Sequence, residues 1–163
     1  MAGVYSLNEL KDAIAAHPDV WRPLVFTNGC FDLLHAGHVR YLNAAQQLGR
    51  SLVVGLNSDE SVRTIKPVPE GMPARPIVPE DQRAEVLAAL KAVDAVVIFP
   101  QKTASTLIQA LQPDIYVKGG DYRIETLPEA QIVQQYGGRV ELVSIEVPSS
   151  TSSLIDRILQ ARS

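Results

Sequence analysis

The feature that most constrains the fold of this chain is a regular alternation of short apolar runs with longer amphipathic stretches. Runs rich in Val and Ile are typical of buried strands, and apolar residues three or four positions apart are typical of helices. The predicted strands are 24–27, 52–57, 95–99, 115–118 and 140–145. The predicted helices are 6–16, 38–48, 80–90, 103–111, 129–136 and 152–162, and the first begins with Ser6 as N-cap and Glu9 completing a capping box.

Apolar strands that alternate with helices predict an α/β fold, a Rossmann-like doubly wound sheet of about five parallel strands with helices on both faces. The chain of 163 residues is long enough for one domain, 1–163, with a core of its own. Sheets of this kind bind ligands beyond the carboxyl ends of their strands, at the topological switch point. Segments 28–38 and 119–122 both follow predicted strands, so we expect them to meet at that edge.

The charge and composition argue against several classes of protein. The formal net charge is -3 and there is no long basic run, which argues against nucleic acid as a partner. No segment approaches the roughly 20 apolar residues that a membrane-spanning helix needs, and the first residues do not resemble a signal peptide. Cys30 is the single cysteine, which fits a reducing compartment. We therefore predict a cytoplasmic protein without a membrane partner.

The stretch 25–40 reads Val-Phe-Thr-Asn-Gly-Cys-Phe-Asp-Leu-Leu-His-Ala-Gly-His-Val-Arg, and it carries the strongest indication of function. A strand ends at Gly29, which would allow close approach of the backbone to a ligand, and a helix start follows with free N–H groups. His35 and His38 lie in its first turn, with Gly37 leaving space between them. Amides, a helix N-terminus and two imidazoles can be directed at one phosphate chain. A metal site is not predicted, because no third ligand stands at metal spacing.

Two further segments hold candidate residues at strand or helix ends. Lys118 ends an apolar strand, where a lysine is costly unless it emerges at the edge or meets an anion. Asp121, which follows, could contact sugar hydroxyls or cap a turn. Ser150, Thr151 and Ser152 precede the last predicted helix, where they could serve as caps, as an anion site, or as both.

The segment 66–79 contains Pro67, Pro69, Pro73, Pro76 and Pro79, so it is predicted to be neither helix nor central strand. One interpretation is a solvated surface loop. The other is a mobile flap that carries Lys66 and Arg75 over a bound anion.

The histidine stretch resembles the His-x-Gly-His signature of the nucleotidyltransferase superfamily that includes the cytidylyltransferases. Within it, Asn-Gly-Cys-Phe-Asp and Val-Lys-Gly-Gly-Asp-Tyr most resemble the heptose 1-phosphate adenylyltransferase branch. The resemblance covers most of the chain, which it identifies as a single nucleotidyltransferase domain. The matching segments are 27–42, 57–62, 75–77, 83, 93–94, 113–114, 117–122 and 150–155.

The resemblance implies that a sugar phosphate attacks the α-phosphorus of ATP and that pyrophosphate leaves, with Mg²⁺ assisting. It assigns catalysis to His35, His38 and Lys118, and His38 is expected to stabilise charge at the α-phosphate with an imidazole near its ordinary pKa. The residues assigned to the nucleotide are Thr27, Asn28, Gly29, Cys30, Phe31, Gly37, Gly119, Asp121, Ser150, Thr151 and Ser152. Those assigned to the acceptor are Asp32, Asp59, Lys66, Arg75, Arg83 and Tyr122, although Asp32 could instead orient the histidine loop or accept local backbone bonds.

Three departures leave the substrates open. Ile145 stands where cytidylyltransferases of the glycerol-phosphate type have an arginine. Residues 147–149 replace the usual Glu-Gly-Cys of the heptose branch, and a proline-rich insert separates Lys66 from Arg75. The alternatives are therefore a cytidylyltransferase that uses CTP with glycerol 3-phosphate or a similar alcohol phosphate, and a regulatory nucleotide-binding module without turnover. A homodimer is predicted. The 163 residues contain no sugar kinase, so the chain is either a stand-alone enzyme supplied by a separate kinase or an excised domain of a bifunctional protein.

Overall fold

The computed structural model describes residues 2–120, 122–145 and 150–162, which form five strands within a layered α/β arrangement. The strands are β1 (Leu24–Gly29), β2 (Ser51–Asn57), β3 (Ala95–Phe99), β4 (Ile115–Gly119) and β5 (Arg139–Val143). The helices are α1 (Leu7–Ala16), α2 (Pro18–Trp21), α3 (Ala36–Gln46), α4 (Asp59–Ile65), α5 (Glu80–Ala88), α6 (Ser105–Leu111), α7 (Pro128–Gln135) and α8 (Thr151–Gln160). A 3-10 turn at Ile124–Thr126 precedes α7.

The strands form one parallel sheet in the order β3-β2-β1-β4-β5, which confirms the predicted fold class. The order reverses direction between β1 and β4, so the switch point lies beside the end of β1. Helices cover both faces of the sheet. On one face α1, α6 and α7 pack against Phe26 and Tyr116, and on the other α3 and α5 pack against Val25 and Val117. Alternate residues of one strand thus belong to two separate cores.

Strands β1 and β4 pair over only two positions, Val25 with Ile115 and Phe26 with Tyr116. Beyond them, Tyr41 of α3 bridges the two strands. Its hydroxyl lies 2.7 Å from Thr27 Oγ1 and donates to the carbonyl oxygen of Val117 at 3.1 Å. Because the strands separate here, space opens at the switch point. The contacts of Tyr41 with both strands hold β1 and β4 in a fixed relative position.

The predicted elements are all present, with shifted ends, and the capping box of α1 is confirmed by reciprocal bonds between Ser6 and Glu9. The sequence reading missed two short helices. It missed α2, which begins with Pro18, and α4, whose N-cap Ser58 accepts a bond from the Ser61 amide. Within the described ranges, no helix has the length and apolar character needed to cross a bilayer.

Candidate active site

A cavity of about 540 Å³ opens at the carboxyl ends of β1 and β4. Fourteen of the predicted site residues line it: Asn28, Gly29, Cys30, Phe31, Asp32, His35, His38, Lys66, Arg75, Lys118, Tyr122, Ser150, Thr151 and Ser152. A smaller adjoining cavity of about 230 Å³ adds Gly119 and Tyr41. The described lining carries four cationic side chains and two carboxylates, so it suits a polyanion.

Hydrogen bonds to backbone amides fix the positions of the two histidines at the start of α3. His35 is the N-cap, and its Nδ1 accepts the Gly37 N–H at 3.1 Å, while His38 Nδ1 accepts the His35 N–H at 3.4 Å. Their ring centroids are 4.0 Å apart. Because each Nδ1 acts as an acceptor, the neutral rings carry their protons on Nε2. Both Nε2–H groups are therefore available as hydrogen-bond donors to a ligand.

His38 differs from the expectation of an imidazole near its ordinary pKa. Burial lowers the pKa of His38 from 6.5 to about 4, and the neighbouring His35 adds to the effect. Its ring also packs against Phe31, with the centroids 5.5 Å apart. Near pH 7 the His38 ring of the free protein is therefore neutral, and its Nε2–H group is a hydrogen-bond donor.

This shift predicts that acid weakens the fold through His38. Its folded pKa lies below its unfolded value of 6.5, so the unfolded chain binds more protons between pH 6.5 and pH 4. The stability that His38 contributes is complete above about pH 6.5 and falls as the pH drops towards 4. Urea unfolding at pH 7 and pH 5 should show a smaller loss in His38→Gln, which cannot titrate, than in the unmodified protein. Equal losses in both proteins would contradict the lowered pKa.

Phe31 and Gly29 shape the turn between β1 and the histidines. Phe31 has a φ of 43°, in the left-handed region that is unfavourable for a non-glycine residue. This turns its ring beneath Gly29, where an added Cβ would lie 2.9 Å from Phe31 Cε2. The ring explains the glycine independently of any ligand, and close approach to a phosphate stays a prediction.

Lys118 extends from the end of β4 into the same cavity, with its Nζ 5.1 Å from the centroid of the Tyr122 ring. Burial lowers the pKa of Lys118, and Lys66 adds to the effect, whereas the Glu129 carboxylate opposes it. A cation held in a partly desolvated wall interacts more strongly with phosphate than one in bulk water. Asp121, which follows the lysine segment, lies outside the described residues, as do residues 147–149.

The start of α8 closes another side of the cavity. Ser150 is its N-cap and forms reciprocal bonds with Ser153, as the capping prediction requires. Thr151 lies one residue into the helix, and its hydroxyl donates to the carbonyl oxygen of Leu33 at 3.1 Å. This bond ties α8 to the histidine loop, so two helix N-termini lie against one cavity.

The proline-rich segment is irregular and is anchored at its far end by Asp32. The Asp32 carboxylate accepts the Arg75 Nε–H at 2.6 Å and the backbone amides of Ile77 and Val78 at 2.8 and 2.9 Å. Asp32 thus holds the segment against the histidine loop through bonds from distant residues rather than local backbone bonds, and a contact of Asp32 with the acceptor stays a prediction. Lys66 and Arg75 both line the cavity, as the flap hypothesis requires, and whether the segment moves stays a prediction.

Arg83 and Asp59 were predicted to bind the acceptor, but the structure places both outside the cavity lining. The Arg83 side chain is fully buried and pairs with Asp59 at 2.8 Å. It also donates to the carbonyl oxygens of Val78, Cys30 and Asn57. Since these bonds join the histidine loop, the end of β2 and the proline-rich segment, we assign both residues a positioning role.

Thr27 and Gly37 also lie behind the lining. Thr27 is fully buried with its hydroxyl against Tyr41, and the Gly37 amide caps His35. The sequence reading missed four lining residues: Asn57, Ile65, Lys102 and Glu129. Lys102 follows β3, so the rule that ligands bind beyond strand ends could have found it. Glu129 had no such signal, because an acidic residue in a first helical turn is ordinary.

The fold, the paired imidazoles and the strand-end lysine define a nucleotidyltransferase-like arrangement, and comparison with known proteins agrees. Residues 26–160 match the family model described as cytidylyltransferase-like. The chain belongs to this cytidylyltransferase-like family.

The chain is also similar to curated relatives that are longer than it is. It is 49% identical over 150 residues to the bifunctional protein HldE of Syntrophotalea carbinolica and 46% identical over 160 residues to that of Geobacter sulfurreducens. These alignments include 92% and 98% of this chain but only 30% and 32% of the relatives' length. A crystal structure of a lipopolysaccharide core biosynthesis protein from Thermoplasma volcanium superposes with a TM-score of 0.59 at 28% identity, covering 77% of this chain and 97% of the other.

Proposed function

We propose that this chain transfers the AMP group of ATP to a heptose 1-phosphate and releases pyrophosphate. The observation that carries the proposal is the convergence of two imidazole donors, Lys118 and two helix starts on one cavity at the switch point. The acceptor is supported by the resemblance of Asn-Gly-Cys-Phe-Asp and Val-Lys-Gly-Gly-Asp-Tyr to the heptose 1-phosphate adenylyltransferase branch, together with the similarity to the bifunctional proteins HldE.

In this mechanism an oxygen of the acceptor phosphate forms a bond to the α-phosphorus, and the bond between that phosphorus and the bridging oxygen to the β-phosphate breaks. Charge develops on the phosphoryl oxygens, so catalysis consists of positioning and charge stabilisation. His38 and His35 donate their Nε2–H groups to these oxygens, and Lys118 supplies positive charge. Lys66, Arg75, Lys102 and the starts of α3 and α8 hold the remaining phosphates.

In this proposal Mg²⁺ would enter with the triphosphate, whose phosphate oxygens would bind it together with water. The described ranges contain no group of three or more His, Cys, Asp or Glu side chains placed to hold a metal ion. When bound there, Mg²⁺ would neutralise charge on the leaving pyrophosphate.

The main alternative is cytidylyl transfer from CTP to glycerol 3-phosphate or a similar alcohol phosphate, which the name of the family keeps open. A pyrophosphate-release screen that crosses ATP and CTP with heptose 1-phosphate, glycerol 3-phosphate and other sugar phosphates separates the two. We expect release with ATP and heptose 1-phosphate. Release with CTP alone would favour the alternative, and no release with any pair would favour a nucleotide-binding module without turnover.

Partners follow from the same proposal. A kinase reaction must supply the phosphorylated sugar that this reaction consumes. The predicted homodimer stays a prediction, which the molar mass in solution would test.

A further inference from the structure

Glu129 is a largely buried residue of the cavity wall whose carboxylate has no hydrogen-bond or ion-pair partner in the described structure. It is the second residue of α7, is only 6% exposed and lines the cavity. No hydrogen bond and no ion pair within residues 2–120, 122–145 and 150–162 includes its carboxylate. Within the described residues no fully enclosed side-chain oxygen lacks a hydrogen-bond partner, so the unpartnered Glu129 oxygens must be open to the cavity.

The groups around Glu129 do not supply that partner. The Tyr116 hydroxyl, whose pKa Glu129 helps to raise, donates instead to Asn28 Oδ1 at 2.8 Å. Lys118 interacts with Glu129 electrostatically but is not within ion-pair distance. The other carboxylate of the lining, Asp32, is fully engaged by Arg75 and two backbone amides. Glu129 is thus the lining carboxylate left open to a ligand.

The charge of Glu129 indicates which part of a ligand it can meet. A carboxylate has only acceptors and repels phosphate, so it cannot belong to the anion-binding part of the cavity. Its helix packs on the opposite face of the sheet from the histidine helix, since Val133 of α7 joins one core and Leu42 of α3 the other. A ligand with its phosphates at the histidines would therefore reach Glu129 with an uncharged portion.

We propose that Glu129 forms a hydroxyl subsite, in which its two oxygens accept hydrogen bonds from hydroxyl groups of a bound sugar. The proposal rests on the function proposed above, because that reaction brings two sugars into the cavity. The ribose of the nucleotide and the ring of the acceptor present the same chemistry, adjacent hydroxyl donors. Glu129 therefore selects for hydroxylated ligands, while the phosphate contacts provide the anchoring.

The assignment is tested by combining the Glu129→Gln variant with substrates that lack one hydroxyl group. Glu129→Gln keeps the size of the side chain and replaces one acceptor oxygen with a donor, so we expect kcat/KM to fall by about tenfold or more. In the unmodified protein, removing the contacted hydroxyl, as in 2′-deoxy-ATP, 3′-deoxy-ATP or a deoxy acceptor, should cause a similar loss. In Glu129→Gln that substrate should cause little further loss, because the contact is already gone. Coupling with a deoxy nucleotide assigns the ribose, and coupling with a deoxy acceptor assigns the acceptor ring.

The control variant is Glu125→Gln, which makes the same charge change at an exposed position outside the lining and should leave all constants unchanged. Losses that add independently for every deoxy substrate, or an unchanged kcat/KM in Glu129→Gln, would overturn the subsite. Calorimetry measures the binding of the same ligands without any need for turnover. These ligands are ATP and the two deoxy nucleotides, and the acceptor and its deoxy form. If Glu129→Gln and the loss of a hydroxyl are coupled in binding but the protein has no turnover, only the proposed function is overturned. If the protein turns over but the two changes are not coupled, only this inference is overturned.

Discussion

Replacing His38 by alanine is expected to lower turnover by about a hundredfold or more, the usual cost of removing one donor that stabilises transition-state charge. The neutral ring carries its proton on Nε2, facing the cavity, because Nδ1 accepts the His35 amide. The loss should fall on kcat and on kcat/KM alike, since the donor acts on charge that develops only during the reaction. Steady-state pyrophosphate release measures both constants.

Two matched variants separate the donor from the cap that His38 also provides. His38→Asn can keep an acceptor near the position of Nδ1 but has no group at Nε2, so it should be as inactive as His38→Ala. His38→Gln can place an amide N–H near the position of Nε2 and should recover part of the activity. Near-normal turnover in a folded His38→Ala protein would show that the imidazole does not stabilise the transition state.

Replacing Arg83 by methionine is expected to reduce the free energy of unfolding by about 3–5 kcal/mol, as for other buried pairs that lose one partner. The side chain is fully buried, and its removal leaves Asp59 and the carbonyl oxygens of Cys30, Asn57 and Val78 without their donor. Urea unfolding monitored by circular dichroism measures this change. The free energy of unfolding of Arg83→Lys should lie between those of the unmodified protein and Arg83→Met, because lysine keeps the charge but not the planar set of donors.

Arg139 provides the matched control for this prediction. It pairs with Glu141 at 3.1 Å, but both side chains are largely exposed, so Arg139→Met should change stability by no more than about 0.5 kcal/mol. If Arg83→Met were as stable as Arg139→Met and showed only a raised KM for the acceptor, the acceptor-binding role predicted from sequence would replace the positioning role.

The strands of the sheet were predictable because the apolar residues that identify each strand lie within one short segment. Buried parallel strands must be apolar on both sides, so the strand sequences are conspicuous, and the Ser6 cap depends on residues three apart. The short helices α2 and α4 were missed because so few residues give no clear apolar period. The separation of β1 from β4 was not predictable, because it depends on Tyr41 reaching Thr27 and Val117 across the sheet.

The candidate site was predictable where strand ends and motifs coincide, as at His35, His38 and Lys118. What the sequence could not provide was the direction of each side chain. Arg83 and Asp32 resemble ligand-binding residues by type, yet both side chains are engaged in contacts between distant segments of the chain. Glu129 shows the converse, because only the structure reveals that this largely buried residue lines the cavity.

The measurement that tests the central claim most directly is phosphorus NMR of the products formed from ATP and heptose 1-phosphate. Attack at the α-phosphorus predicts pyrophosphate together with a sugar nucleotide whose two phosphorus atoms are coupled through a bridging oxygen. Formation of ADP and a sugar bisphosphate would instead mean transfer of the γ-phosphoryl group. That result would contradict the account, because it would place the reacting phosphorus at the wrong end of the triphosphate.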